Sequence, residues 1–475
     1  MAKRSAAMQD GAVLHARASP GHATQSPGNA TQSQRPKGSS EPATPVLPAN
    51  SVRRNAAWLL IGNIATAAAQ CGITIVLSKL GSEAIQGRFS LCMNIAAPLS
   101  ILLALNLRAL ILTDVTEQFA FHEYMAVRLI SCVAMVPVCV AIGLAIWLAG
   151  KFDGAFVLVL AVVGAFKAVE WVSEMCQSAF QKRQRMEFAA ISQTLRATLV
   201  LVAAGIVMFA TRSLLAVCIA WLAVSVAVLM SYDFTHVRRF DTPWGRTNAR
   251  RLRAIVRQAI PLVVTIVLLS LNTNLSSYII AGHCSLEEVG YFTAMNYVVQ
   301  ALALAFVAVG TAAIPRMAEH FQSDPARLWP LLTKGAMLVG AIAVAAFVGS
   351  LLWGRWFLTV AYRASYAEHV HVLWILTGGS LLIGLASLAG FAATACRVFR
   401  ASAAVWAVVV VVTLVGGLVL VPRWRISGAA WANVISSAAA LTGMLGLVAW
   451  AVRRRMRELS AVPAIGQSEL ERRHE

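Results

Sequence analysis

Residues 78–114 read SKLGSEAIQGRFSLCMNIAAPLSILLALNLRALILTD, a short polar turn followed by about 25 mostly apolar residues that close at Arg108 and Asp114. The pattern returns 203 residues later, at 281–317, as AGHCSLEEVGYFTAMNYVVQALALAFVAVGTAAIPRM. Without a gap, Gly87 falls on Gly290, Phe89 on Phe292, Ser90 on Thr293 and Ile111 on Ile314. Small and apolar residues coincide by chance, so the weight comes from the surroundings. Each copy follows one long apolar segment and precedes four more.

The apolar fraction is 58% and the charged fraction only 13% over 475 residues, which is not the composition of a water-soluble globule. A bilayer-spanning helix needs about 20 apolar residues. Twelve runs of about that length lie between 55 and 452, among them 89–113, 125–149, 213–232, 259–281, 401–421 and 428–452. The expected fold is therefore an all-α integral membrane protein of about twelve transmembrane helices. The basic turn with Lys182 and Arg185, three residues apart, reappears 215 residues on as Arg397 and Arg400. Two recurrences at similar offsets indicate an internal duplication. Six spans precede the arginine-rich loop and six follow it, so the halves should be parallel repeats related by an axis along the membrane normal.

A net charge of +19 suggests nucleic acid until its placement is considered. With the amino end inside, most Lys and Arg fall on one side of the membrane, and the loop 238–257 alone carries seven arginines. That asymmetry follows the positive-inside rule and places both ends in the cytoplasm. The expected organisation is a cytoplasmic tail over 1–52, a six-helix bundle over 53–235, a basic linker over 236–257, a second bundle over 258–452 and a basic tail over 453–475. The first tail is rich in Ser, Pro, Thr and Gln and lacks the apolar core of a signal peptide. Eight scattered cysteines with no Cys-x-x-Cys imply neither a disulfide framework nor a zinc site.

Charge inside the apolar runs marks the candidate site. Lys167, Glu170 and Glu174 sit at i, i+3 and i+7 and share one helical face. That face must look inward. The next helix carries Arg196 at a depth similar to Glu170, so the two are candidate partners, either locking the bundle or facing a substrate. Arg108 lies about 9 Å inside its span by helical rise, and either snorkels to the headgroups or meets an anion in a wet cavity. In the second half, 271–277 reads LNTNLSS, and Asn272 and Asn274 align with the neighbourhood of Gln70. These polar patches line a shared cavity or join helices. Trp353, Arg355, Trp356, Tyr362 and Tyr366 read as an aromatic belt. No Walker A sequence, metal-ligand cluster or catalytic carboxylate pair is present, and short loops leave little room for a donor-sugar site. No cofactor is expected.

Gly62-Asn63, the Lys79-Leu80-Gly81 turn, Gly87 and Phe89, and the closing Asn106-Leu107-Arg108 resemble the amino-terminal signature of the polysaccharide and O-antigen flippases. Glu287-Glu288-Val289-Gly290-Tyr291 is similar to that family's turn after the seventh helix, and Arg425-Ile426-Ser427-Gly428-Ala429-Ala430 to the motif before its last helix. The family belongs to the multidrug/oligosaccharidyl-lipid/polysaccharide exporter superfamily. The resemblance implies two six-helix bundles that alternate access, and a non-enzymatic flippase of the bacterial inner membrane. It would move an undecaprenyl-diphosphate-linked oligosaccharide for surface or exopolysaccharide biosynthesis. Its partners would be that lipid-linked oligosaccharide, membrane lipids, a polysaccharide polymerase and a chain-length regulator, with no nucleic acid. On this reading Arg108 and Arg196 bind diphosphate or acidic sugar, Lys167 and Glu170 tune the field, and Asn272 and Asn274 contact hydroxyls. Two alternatives stand beside it: a cation/drug antiporter of the multidrug and toxin extrusion type, and a membrane polysaccharide polymerase.

Overall fold

The computed structural model describes residues 52–114 and 118–461. Most of the expected tails, 1–51 and 462–475, lie outside the described residues. The first half consists of α1 (Val52–Val76), α2 (Glu83–Ala104), the short α3 (Leu107–Thr113), α4 (Phe121–Leu148), α5 (Gly154–Lys182), α6 (Met186–Thr211), α7 (Leu214–Val228) and α8 (Phe234–Val237). π-helical turns follow α1 at Leu77–Gly81 and join α7 to α8 at Leu229–Asp233. The second half holds α9 (Ala249–His283), α10 (Leu286–Ser323), α11 (Leu328–Ala361), α12 (Ala364–Glu368), α13 (Val370–Ala395) and α14 (Phe399–Ala461). No strand occurs among the described residues.

Ten helical segments among the described residues are long and apolar enough to cross a membrane. The last of these contains two helices meeting at Arg425, whose backbone (φ 50°, ψ −131°) leaves the helical region. With α9, 35 residues long, the long helices among the described residues total twelve, six in each half. The hairpins between them are set by ordinary capping chemistry. Ser82, Asp153, Ser213 and Ser285 each accept the backbone N–H three residues on, at the starts of α2, α5, α7 and α10.

Two expectations from the sequence change. The run 89–113 is not one helix, because Leu105 (φ 54°) and Asn106 (φ 44°) turn left-handed and end α2 before α3 begins. The duplicated basic turn also has a different offset. Arg183, Gln184 and Arg185 donate backward to Ala179, Gln181 and Phe180, and Cys396, Arg397 and Val398 donate to Ala392, Thr394 and Ala393. Gln184 and Arg397 are the left-handed residues of the two turns. The structural correspondence is therefore 213 residues, not the 215 that matching basic side chains suggests.

The duplicated glycines meet each other. A Cβ on Gly87 would lie 1.7 Å from the Leu286 carbonyl oxygen and 3.2 Å from the Gly290 nitrogen, and one on Gly290 would lie 3.3 Å from the Gly87 nitrogen. Equivalent residues of two repeats touch only near the axis relating them. Only glycine permits this backbone approach. Around the pair, at the end away from the basic turns, the halves are joined by polar contacts. Tyr366 donates to Gln86 (2.6 Å), Ser365 to Glu83 (2.8 Å) and Arg363 to the Gly81 carbonyl (2.8 Å). Tyr362 and Tyr366 are almost wholly buried in this seam. They are therefore not part of a lipid-facing belt, whereas Trp353 and Trp356 are exposed as a belt requires. At the opposite end, Ile255 and Ala259 of α9 join the core of the first half with Leu107, Ile111, Phe121 and Tyr124.

Candidate functional site: a charged cavity and its neutral counterpart

A cavity of about 670 Å³ lies mainly among the helices of the first half, with Ile266 and Leu304 of the second half also on its wall. Its wall takes Asn63, Thr66 and Gln70 from α1, Ser100 from α2, Arg108 from α3, Arg128 from α4, Glu170, Glu174 and Gln177 from α5, Gln193 and Arg196 from α6 and Trp221 from α7. Small residues on α1 let the polar side chains reach the opening. The break after Ala104 sets Arg108 in the first turn of a new helix.

Three sets of charges are held here. Lys167 Nζ lies 2.9 Å from Glu170 Oε2, and Glu170 Oε1 accepts the Trp221 indole N–H at 3.0 Å. Trp221 is fixed in turn by stacking on Phe166, with centroids 4.6 Å apart. Arg196 Nη2 donates to Asp233 Oδ2 at 3.0 Å, and the Asp233 carboxylate is fully buried. The π-helical turn Leu229–Asp233 inserts the extra residue that aims this carboxylate inward. Glu174 stands between two arginines, with Oε1 3.8 Å from Arg108 Nη1 and Oε2 3.8 Å from Arg128 Nη2. Arg108 also donates to Gln181 Oε1 at 2.9 Å. Arg128 is completely buried, and none of its three guanidinium nitrogens has a hydrogen-bond partner among the described residues.

Of the six residues expected at the site, Arg108, Glu170 and Arg196 line this cavity. Lys167 stands behind Glu170 as its ion-pair partner. Asn272 lines a different cavity, and Asn274 turns back to donate to the Ser270 carbonyl at 2.7 Å, away from either wall. The polar patches of α1 and α9 thus line two different cavities, the first of which also takes Ile266 of α9 and Leu304 of α10 onto its wall. The direct partner of Arg196 is Asp233, not Glu170. Arg128 and Asp233 were not expected. Each lies near the end of its apolar run (125–149 and 213–232), where a charge reads as a boundary residue. The lack of any nearby basic run at Arg128 was the one available signal.

The second cavity, about 570 Å³, is lined by amides and hydroxyls such as Asn272, Asn296, Gln300, Asn433 and Ser437, with Trp406 and Phe391 beside them. Among the described residues its wall carries no charged side chain. The two cavities correspond at several wall positions. At the 203-residue offset, Thr66, Gln70 and Ser100 match Leu269, Thr273 and Ala303. At the 213-residue offset, Glu170, Glu174, Gln193 and Arg196 match Ile383, Ser387, Trp406 and Val409. All of these residues are on the walls. Among the described residues, the duplication has kept a chamber in each half and charge on the wall of only one. Among the described residues no group of three or more His, Cys, Asp or Glu could hold a metal ion.

Comparison with known proteins agrees with this architecture. Residues 52–321 match the polysaccharide biosynthesis protein family. The capsular polysaccharide biosynthesis protein CapF of Staphylococcus aureus is 22% identical over 392 residues, covering 82% of this chain and 97% of CapF. Among solved structures, an inward-facing multidrug resistance MATE family transporter of the MOP superfamily aligns with a TM-score of 0.69 at 15% identity, covering 86% of this chain and all of that one. A MOP superfamily transporter from Pyrococcus furiosus aligns at 0.59 and 13% identity, covering 85% and 95%. At these identities the structural likeness establishes the fold alone, a multi-pass helical membrane fold.

Proposed function

The chain belongs to the polysaccharide biosynthesis protein family, and from that membership we propose that it flips an undecaprenyl-diphosphate-linked oligosaccharide across the bacterial inner membrane by alternating access. One observation carries the reading: three arginines, Arg108, Arg128 and Arg196, line a single cavity inside a membrane-spanning bundle. Such a cargo has a charged diphosphate, an uncharged or weakly charged glycan and a lipid tail that stays in the bilayer. Guanidinium groups suit the diphosphate because they stay charged and present a planar fork to phosphate oxygens. Amides, hydroxyls and an indole suit sugar, so the neutral second cavity takes part of the glycan, with Asn272 on its wall. Lys167 and Glu170 set the local field, and Asn274 shapes α9 without touching cargo. The chain acts as a transporter, not an enzyme, with a polysaccharide polymerase and a chain-length regulator downstream.

The drug-antiporter reading calls for a lone carboxylate in an apolar pocket. Glu170, Glu174 and Asp233 each face a cation here, which favours an anionic cargo. The test is export in cells whose own copy is deleted, complemented at matched protein levels. Arg108→Ala removes a charge-assisted contact worth about 1.5–3 kcal/mol, or roughly ten- to a hundredfold in affinity, and should abolish surface polysaccharide. Unchanged export would remove Arg108 from the site. Drug resistance on overexpression without any polysaccharide defect would replace the flippase by the antiporter.

A further inference from the structure

Lys167 has its own carboxylate in Glu170, and Arg196 has Asp233. Arg108 and Arg128 share one, Glu174. The surplus positive charge of the cavity therefore sits at this triad. Its contacts are loose, since both arginine nitrogens stand 3.8 Å from a Glu174 oxygen, well beyond the roughly 2.7–2.9 Å of a charge-assisted hydrogen bond. Arg128 is the anomaly. It is fully buried, its nitrogens lack hydrogen-bond partners among the described residues, and it lies on the wall of an open cavity. A guanidinium in that condition is strongly disfavoured until an anion meets its N–H groups. Glu174 is 36% exposed and stands between the two guanidiniums.

We infer that Arg108 and Arg128 form a two-guanidinium receptor for a phosphate-type anion, and that Glu174 is its tethered counter-anion, displaced when the anion enters. This deepens the flippase reading and rests on it. One carboxylate brings a single charge and cannot satisfy both forks at 3.8 Å. A diphosphate brings more charge and more acceptor oxygens, so loading favours exchange. On release the carboxylate returns and competes with rebinding. A competitor and a ligand contact predict opposite signs, which makes the role of Glu174 testable.

The experiment titrates the full-length protein in phosphatidylcholine nanodiscs with inorganic pyrophosphate, read by calorimetry. Glu174→Gln should tighten binding about tenfold, the scale of one removed ionic competitor. Arg128→Gln should weaken it at least tenfold. Because Arg128 is buried, Arg108→Gln serves as the second variant and should show the same loss, with thermal unfolding as the check on folding. Binding left unchanged or weakened by Glu174→Gln overturns the exchange, while a wild-type affinity that depends on Arg108 leaves the flippase reading standing. No pyrophosphate binding by any variant overturns the receptor itself, and export that also ignores Arg108→Ala removes the flippase reading with it. If the gain from Glu174→Gln vanishes in phosphatidylglycerol nanodiscs, the site holds a phospholipid headgroup and the assignment to cargo is overturned.

Discussion

Removing one member of the Arg196–Asp233 pair strands the other, because the Asp233 carboxylate is fully buried and Arg196 is nearly so. Asp233→Ala should lower stability by about 3–5 kcal/mol, seen as a fall in thermal unfolding temperature in detergent. The double variant Arg196→Met with Asp233→Leu should recover most of that loss, since neither charge is then left alone. It should nevertheless transport poorly, because Arg196 is on the cavity wall. Recovery of stability together with transport would make the pair a lock and nothing more. Arg108, Glu170 and Arg196 were legible in the sequence because a charge deep in an apolar run demands an interior partner. Arg128 and Asp233 were not, since a charge near the end of a run is also satisfied by reaching the headgroups. Which of the two happens depends on rotation about the helix axis, and only packing fixes that.

The break between α2 and α3 is what brings Arg108 to the cavity. It was hidden because neither Leu105 nor Asn106 is glycine or proline. Asn is the one residue there that tolerates a left-handed backbone, and it is also common in ordinary loops and caps. Asn106→Gly should therefore keep both stability and export. Asn106→Val should lose about 1–2 kcal/mol, the penalty of a branched residue in that conformation, and its export should fall further than its stability because a straightened helix would swing Arg108 off the wall. Equal export by the Gly and Val variants at matched protein levels would show that the break does not position Arg108. The basic turns teach the same point about elements. Matching side chains gives an offset of 215, but the backbone hydrogen bonds and the left-handed residues Gln184 and Arg397 give 213. Turn geometry defines the equivalence, and surface charges drift around it.

Twelve spans and two halves were readable from hydropathy and repeat because the bilayer leaves few alternatives for a chain this apolar. Where the halves touch was not readable, although the glycines that make the contact were the first residues aligned. Gly87→Ala would put a methyl 1.7 Å from the Leu286 carbonyl, and a backbone atom in a helix cannot step aside. The expected outcome is a seam held open at this end, with longer spin-label distances between the Asp153 and Glu368 turns in a cysteine-free background. Distances equal to wild type would mean that the helices slide instead of parting. Among the described residues charge lines only one of the two matched chambers, and that governs how cargo is loaded. A molecule ionic at one end and neutral at the other feels a lopsided field, so it enters head-first into the same chamber on every cycle. Recognition is then strict at the ionic head and tolerant along the sugars that trail into the uncharged chamber, where a residue added or removed alters solvation more than fit.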